Sequence, residues 1–131
     1  MQSRQPKSEI TKAKILSASE SEFSEKGFFG ARIDEIAERA GINKRMIYEH
    51  YESKENLYRE TLFSVYKKLA ECESGFYVDN LEPRLAIKNI IYVYFKFLYE
   101  TPSFVRMLMW ENLNSAASLS AEEETGTSHD L

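Results

Sequence analysis

Apolar positions recur along this chain at intervals of three and four residues, the spacing that lines one face of an α-helix. Ile15, Ala18, Ser19 and Phe23, with Leu16 alongside, predict a first helix over residues 9–26, with Ser8 as its N-cap and Gly27 as its stop. After Gly27-Phe28-Phe29-Gly30, the positions Ile33, Ile36, Ala37 and Ala40 repeat the pattern for barely two turns. Gly41 ends them, because glycine accepts a left-handed backbone at little cost. Asn43 is a good N-cap for a third helix over residues 44–50, and Ile42 and Ile47 flank it as a hydrophobic staple. Ser53 caps a longer fourth helix in which Tyr58, Leu62, Val65, Leu69 and Cys72 follow one another on a single face.

Asp79-Asn80 marks a loop, and Pro83 opens a fifth helix as an early-turn proline can. This helix is apolar nearly all round. Ala86, Ile90, Val93 and Phe97 form one stripe, and Ile87, Ile91, Tyr94 and Leu98 form the next. A helix so clad has to be covered on most sides. Thr101-Pro102 makes a cap and a restart, and Phe104, Val105, Leu108 and residues 110–113 continue a sixth helix. Residues 115–131 contain no aromatic and are rich in Ser, Thr, Ala and Glu, which predicts a disordered tail with Glu122-Glu123-Glu124 as a solvated acidic run. No strand-like alternation occurs, so the expected class is all-α. The expected division is a headpiece at 9–55, a partial helical domain at 56–114 and the tail at 115–131.

Composition narrows the chemistry. At 131 residues, 43% hydrophobic and 13% aromatic, the chain has the length of one domain or of a small domain with a helical appendage, and it can bury a core. Its longest apolar run, residues 90–95, is far short of the roughly 18 needed to cross a bilayer, and residues 1–9 hold no signal-peptide core. A cytoplasmic location is expected. The one cysteine, Cys72, reads as a small buried hydrophobe, and with only His50 and His129 beside it no metal-ligand set is spelled out. No cofactor is expected either. There is no Gly-rich phosphate loop and neither histidine belongs to a recognisable nucleophile motif, so an enzyme is not expected. Charge is uneven: 11 basic residues stand against 10 acidic ones up to Arg59, and 6 against 11 beyond it. The less acidic N-terminal part is the one suited to a polyanion.

Residues 33–54 carry the most information. Two short helices joined through Gly41, with Ala37 four positions before it and Ile47 six after, have the spacing of a helix-turn-helix. If Ile47 points inward, Lys44, Arg45, Tyr48 and Glu49 fall on exposed faces at the end that meets base edges when such a helix enters a major groove. Arg45 suits a bidentate contact to guanine, Lys44 suits a base or a phosphate, and Tyr48 suits a phosphate or a thymine methyl. Lys54 stands at the start of the fourth helix, where free N–H groups already favour an anion. His50 suits a phosphate contact or simply the closing of its helix. A second cluster, Tyr92, Phe95, Tyr99, Met107, Met109 and Trp110, suits either an effector pocket or plain core; Tyr92, Phe95, Met107 and Trp110 are the pocket candidates.

The sequence resembles the TetR family of transcriptional regulators. The resemblance is carried by Ile15-Leu16-x-Ala18, Phe23, Gly27, Ala31-Arg32-Ile33-x-x-Ile36-Ala37-x-x-Ala40-Gly41-Ile42-Asn43-Lys44-x-x-Ile47-Tyr48-x-His50-Tyr51-x-x-Lys54-x-x-Leu57. It implies a three-helix DNA-binding headpiece, a linking fourth helix and a helical domain for ligand binding and dimerisation. It further implies a homodimer on a near-palindromic double-stranded DNA operator, most often as a repressor released by a small-molecule effector. The implied DNA-binding residues are Arg32, Asn43, Lys44, Arg45, Tyr48, His50, Tyr51 and Lys54. Three departures stand out. Ala31-Arg32 replace the hydroxyl residues that many relatives use to cap the second helix, Tyr51 replaces a more frequent Phe, and the chain is short. Its length suggests a truncated member, so the alternative function is an interaction protein that pairs with a full-length relative or is inactive as a repressor.

Overall fold

A computed structural model describes residues 6–75 and 82–126, with side chains as far as residue 114. Among the described residues there is no strand, and six helices follow in order: α1 (Lys7–Gly30), α2 (Ile33–Ala40), α3 (Lys44–Tyr51), α4 (Lys54–Glu73), α5 (Pro83–Glu100) and α6 (Pro102–Gly126). The all-α expectation holds. α1 is the hub, packing against α2, α4 and α6, while α3 closes on α2 and α4. The inward face foreseen for α1 is the one observed, since Ile15, Ala18, Ser19 and Phe23 are all buried. They meet Ile33, Ile36 and Ala37 of α2, Ile47 and Tyr51 of α3, and Leu57 and Val65 of α4 in one core that extends to Phe97, Phe104 and Met107.

Several ends differ from expectation. α1 begins two residues earlier, after Pro6, and Ser8 lies inside the first turn instead of capping it. At Gly27, the predicted stop, the helical backbone does break, with φ 71° and ψ 177°, but a further helical turn follows it as far as Gly30. That conformation is open almost only to glycine. α6 runs through Ser115 to Gly126, where a disordered tail was expected. Ala116, Ala117, Leu119, Ala121 and the three glutamates are good helix formers, and that local preference outweighs the polar composition. The side chains of that acidic run, the Asp79-Asn80 loop and residues 127–131 lie outside the described residues.

Two polar devices join the helices. Glu22, fully buried between α1 and α2, lies 3.0 Å from Lys26 Nζ and 3.2 Å from Arg39 Nε, and Lys26 also pairs with Glu35 and Arg39 with Glu25. On the other side of α1, the Trp110 Nε1–H donates to the Ser24 carbonyl at 3.1 Å, and its ring rests on the bend at Gly27. Tyr58 of α4 donates to Glu111 of α6, and burial followed by that hydrogen bond pushes its phenol well above the ordinary range. α6 is thereby fastened to both α1 and α4.

α5 departs most from its predicted surroundings. Of its 18 residues only Phe97 is buried. Among the described residues no helix is long and apolar enough to cross a membrane.

Candidate nucleic-acid interface

The turn between α2 and α3 is fixed by local chemistry. Gly41 takes the left-handed conformation, φ 68° and ψ 33°. Its N–H bonds to the Glu38 carbonyl and that of Ile42 to the Ala37 carbonyl, each at 3.1 Å, which is the paired pattern of a Schellman cap. Two residues later the Asn43 side chain accepts from the Arg45 N–H at 2.9 Å and starts α3. Ile42 packs on the core and Ile47 is 1% exposed, so the staple positions flank the cap as the spacing predicts. The chain therefore turns between the two helices within three residues, and α3 is seated with Ile47 and Tyr51 inward.

The opposite face of α3 carries the candidate contacts. Arg45 is the most open, with its side chain 84% exposed, and its Nε lies 3.3 Å from Glu49 Oε1 one turn on. Lys44 Nζ lies 3.0 Å from Asp34 Oδ1 of α2; that hydrogen bond and charge hold its ammonium pKa above the usual range, while Arg32 acts in the opposite sense. Arg32 is exposed at the uncapped start of α2, near enough for its charge to reach Lys44. Tyr48 is exposed one turn after Lys44. Lys54 opens α4, its ammonium 4.8 Å from the centre of the Phe28 ring, a cation–π contact that aims a flexible side chain. Lys44, Arg45 and Tyr48 are thus exposed on α3, and Arg32 is exposed at the start of α2.

The remaining predicted residues have other places. Asn43 is exposed but committed to its cap. His50 is half-buried in the last turn of α3, its ring 6.4 Å from that of Tyr51. Tyr51 is 6% exposed, and burial raises its phenol pKa; its ring belongs to the core and its carbonyl accepts from Asn56 Nδ2 at 2.8 Å. An inward position one turn after Ile47 explains this. The Asp34 partner of Lys44 went unread in the sequence because its pairing depends on how α2 crosses α3.

The four pocket candidates are not brought together. Tyr92 and Phe95 are 63% and 68% exposed, Met107 is fully in the core, and Trp110 is taken up by the Gly27 bend. A surface hollow instead lies along α1 and α2, lined by Ile10, Ala13, Ser17, Ser21 and the stems of Lys14 and Arg39. Among the described residues no group of His, Cys, Asp and Glu is arranged to hold a metal ion.

A backbone feature beside the interface escaped the sequence altogether. Glu52, between α3 and α4, has φ 67° and ψ −43°, and the Ser53 N–H bonds back to the Tyr51 carbonyl at 2.7 Å. This is a γ-turn of the rare positive-φ kind, strained for any side chain.

Residues 15–61 match the family described as "Bacterial regulatory proteins, tetR family". The chain is 32% identical over 111 residues to the HTH-type transcriptional repressor NicS of Pseudomonas putida, covering 85% of this chain and 52% of that one. It is 34% identical over 125 residues to the HTH-type transcriptional repressor SCO4008 of Streptomyces coelicolor, covering 95% and 60%. The chain thus spans between half and two thirds of the length of these curated relatives. The fold is similar to that of a TetR-like transcriptional regulator from Rhodococcus sp. RHA1, with a TM-score of 0.75 at 22% identity over 93% of this chain and 67% of that one. With its Schellman turn, its Asn-capped α3 and the match over residues 15–61, the headpiece belongs to the tetR family of bacterial regulatory proteins.

Proposed function

We propose that this chain is a sequence-specific DNA-binding repressor of transcription, acting in the cytoplasm and without enzymatic turnover. The observation that carries the reading is the outer face of α3, where Arg45 and Tyr48 project beside an Asn-capped helix start while Ile47 and Tyr51 anchor the helix from behind. In a major groove Arg45 would read guanine, and Lys44, Arg32 and Lys54 would meet phosphates. Lys44 and Arg45 each hold an acidic neighbour, Asp34 and Glu49, in the free protein. Phosphate or base contacts would have to replace those pairs, which disfavours weak, non-specific sites.

The reading extends to a homodimer on a near-palindromic operator. A single headpiece making a few phosphate contacts binds in the non-specific range of roughly 10⁻⁴ to 10⁻⁶ M, and joining two raises avidity by roughly 10²- to 10⁴-fold if both engage. It also extends to release by a small molecule. Such an effector, acting on the helical part, would reach the headpiece through α4 and α6, both of which pack on α1. The test is selection of source-genome fragments by the purified chain at moderate salt, followed by sequencing of what is retained. An enriched inverted repeat supports the dimeric repressor, a single half-site supports the headpiece alone, and no enrichment overturns the reading.

A further inference from the structure

We infer that Glu22 is a positioning residue for the reading of DNA: its buried carboxylate ties α2 to α1 in one orientation and so sets where α3 stands. The orientation rests on the charge cluster alone, and only its consequence on DNA rests on the repressor reading.

α2 has little apolar surface with which to fix itself. Its eight residues bury Ile33, Ile36 and Ala37, and such contacts are non-directional, so they hold a short helix down without setting its angle. The ion pairs supply direction. All three nitrogens of the Arg39 guanidinium meet carboxylates of α1: Nε lies 3.2 Å from Glu22, and Nη2 and Nη1 lie 2.8 and 3.5 Å from Glu25. A planar fork held at three points fixes both the place and the tilt of the helix that bears it. One turn earlier on α2, Glu35 pairs with Lys26. Glu22 bridges these two clamps, with one oxygen 3.0 Å from Lys26 Nζ and the other on Arg39. α3 follows α2 directly after the hydrogen-bonded turn at Gly41, so a tilt of α2 carries Arg45 and Tyr48 with it.

Stability alone does not account for a glutamate at this place. Its side chain is fully buried, yet neither oxygen accepts a well-aligned hydrogen bond, and a charge buried on those terms is costly. Apolar residues of similar volume commonly replace a buried ion pair without loss of stability. Such a change would not strand the two cations here. Lys26 and Arg39 are 37% and 39% exposed and would keep Glu35 and Glu25 as partners. What the carboxylate adds over an apolar side chain is therefore direction.

Glu22→Met in the complete chain tests this with readouts that a merely structural role would not separate. Its urea midpoint is expected at or above that of the wild type. Amide hydrogen exchange in α2 and α3, taken relative to α4, should quicken roughly tenfold or more, the equivalent of one lost charged contact. On DNA, the ratio of affinity for a selected sequence to that for a scrambled duplex should fall roughly 5- to 150-fold, the range of one lost base reading. Arg39→Met removes the α2 end of the bridge without touching the buried site, and should reproduce both effects even if methionine fits poorly in place of Glu22. Exchange in α2 and α3 that stays unchanged in both variants, or quickens no more than in α4, overturns the inference, because Glu22 would then at most support the fold as a whole. A ratio that keeps its wild-type value while α2 and α3 loosen overturns it too, since α3 would then read DNA without the clamp. If α2 and α3 loosen selectively but the wild type itself prefers no sequence, the orienting role stands and the repressor reading falls.

Discussion

At the scale of single residues, Arg45 and Lys54 have separable duties. Arg45 is exposed on α3, paired with Glu49 of the same helix, so Arg45→Ala should relax preference at one base position of each half-site, at roughly 1–3 kcal/mol. Lys54, at the start of α4, should contribute charge without reading sequence. Lys54→Ala is expected to weaken binding to all DNA about equally and to lower the salt slope by roughly one unit. Quantitative binding to a panel of operator variants at several salt concentrations distinguishes the two, and a uniform loss for Arg45→Ala would refute its role as a reader. Glu52 invites the opposite kind of change. Because its positive φ strains a side chain, Glu52→Gly should stabilise the protein by about 1 kcal/mol, read as a higher urea midpoint. The caps at Gly41, Asn43 and Ser53 were legible in the sequence because each acts within a few residues of itself. The Glu52 strain was not, because nothing in the identity of a glutamate announces a positive φ.

Between elements, the two positive-φ glycines separate backbone strain from crowding. Gly41 has nothing within 4 Å of a would-be Cβ, whereas at Gly27 that atom would stand 2.8 Å from the Trp110 ring. Gly41→Ala should then cost only the left-handed penalty of about 1–2 kcal/mol. Gly27→Ala should cost more, because α6 must shift off α1 as well. Equal losses in urea unfolding would contradict the observed contact. The α1–α2 charge cluster makes a prediction in pH. A hydrogen bond from Arg39, helped by its charge, holds the Glu25 carboxyl below the ordinary 4.5, and Lys26 does the same for Glu35. Carboxyls depressed in the folded state lend stability that is complete above their unfolded pKa and is lost as pH falls through the folded value. Acid unfolding should therefore begin below about pH 4.5, and Arg39→Gln should flatten that limb. High salt should do so too, since these pairs are at the surface.

Across the whole molecule, the sequence was informative wherever one helix reads its own periodicity. The inward faces of α1 and α2, Ile47 of α3 and the break at Gly41 followed from spacing. On α4, by contrast, only Val65 of the predicted face is fully buried, beside Leu57 and Thr61, and Tyr58, Leu62, Leu69 and Cys72 are half-buried. Packing between distant segments did not follow from spacing. Trp110 meets Ser24 across 86 positions, and nothing in the local pattern separates a tryptophan that wedges a bend from one that lines a pocket. The same limit explains Tyr92 and Phe95, whose apolar character was plain while their open setting was not. Periodicity shows that a face is apolar without showing what lies opposite.

The tryptophan contact also gives the molecule a built-in optical reporter. Trp110 is the only tryptophan in the chain, and its indole lies where α6 meets the bend of α1, against the helix that carries the headpiece. Its emission therefore samples one joint without any label. A compound or an operator duplex that pulls α6 from α1 should break the indole N–H bond, admit water to the ring and shift the emission to the red. A ligand bound without moving this joint should leave the spectrum where it was. A single cuvette titration can thus tell whether signals between the helical part and the headpiece travel through α6.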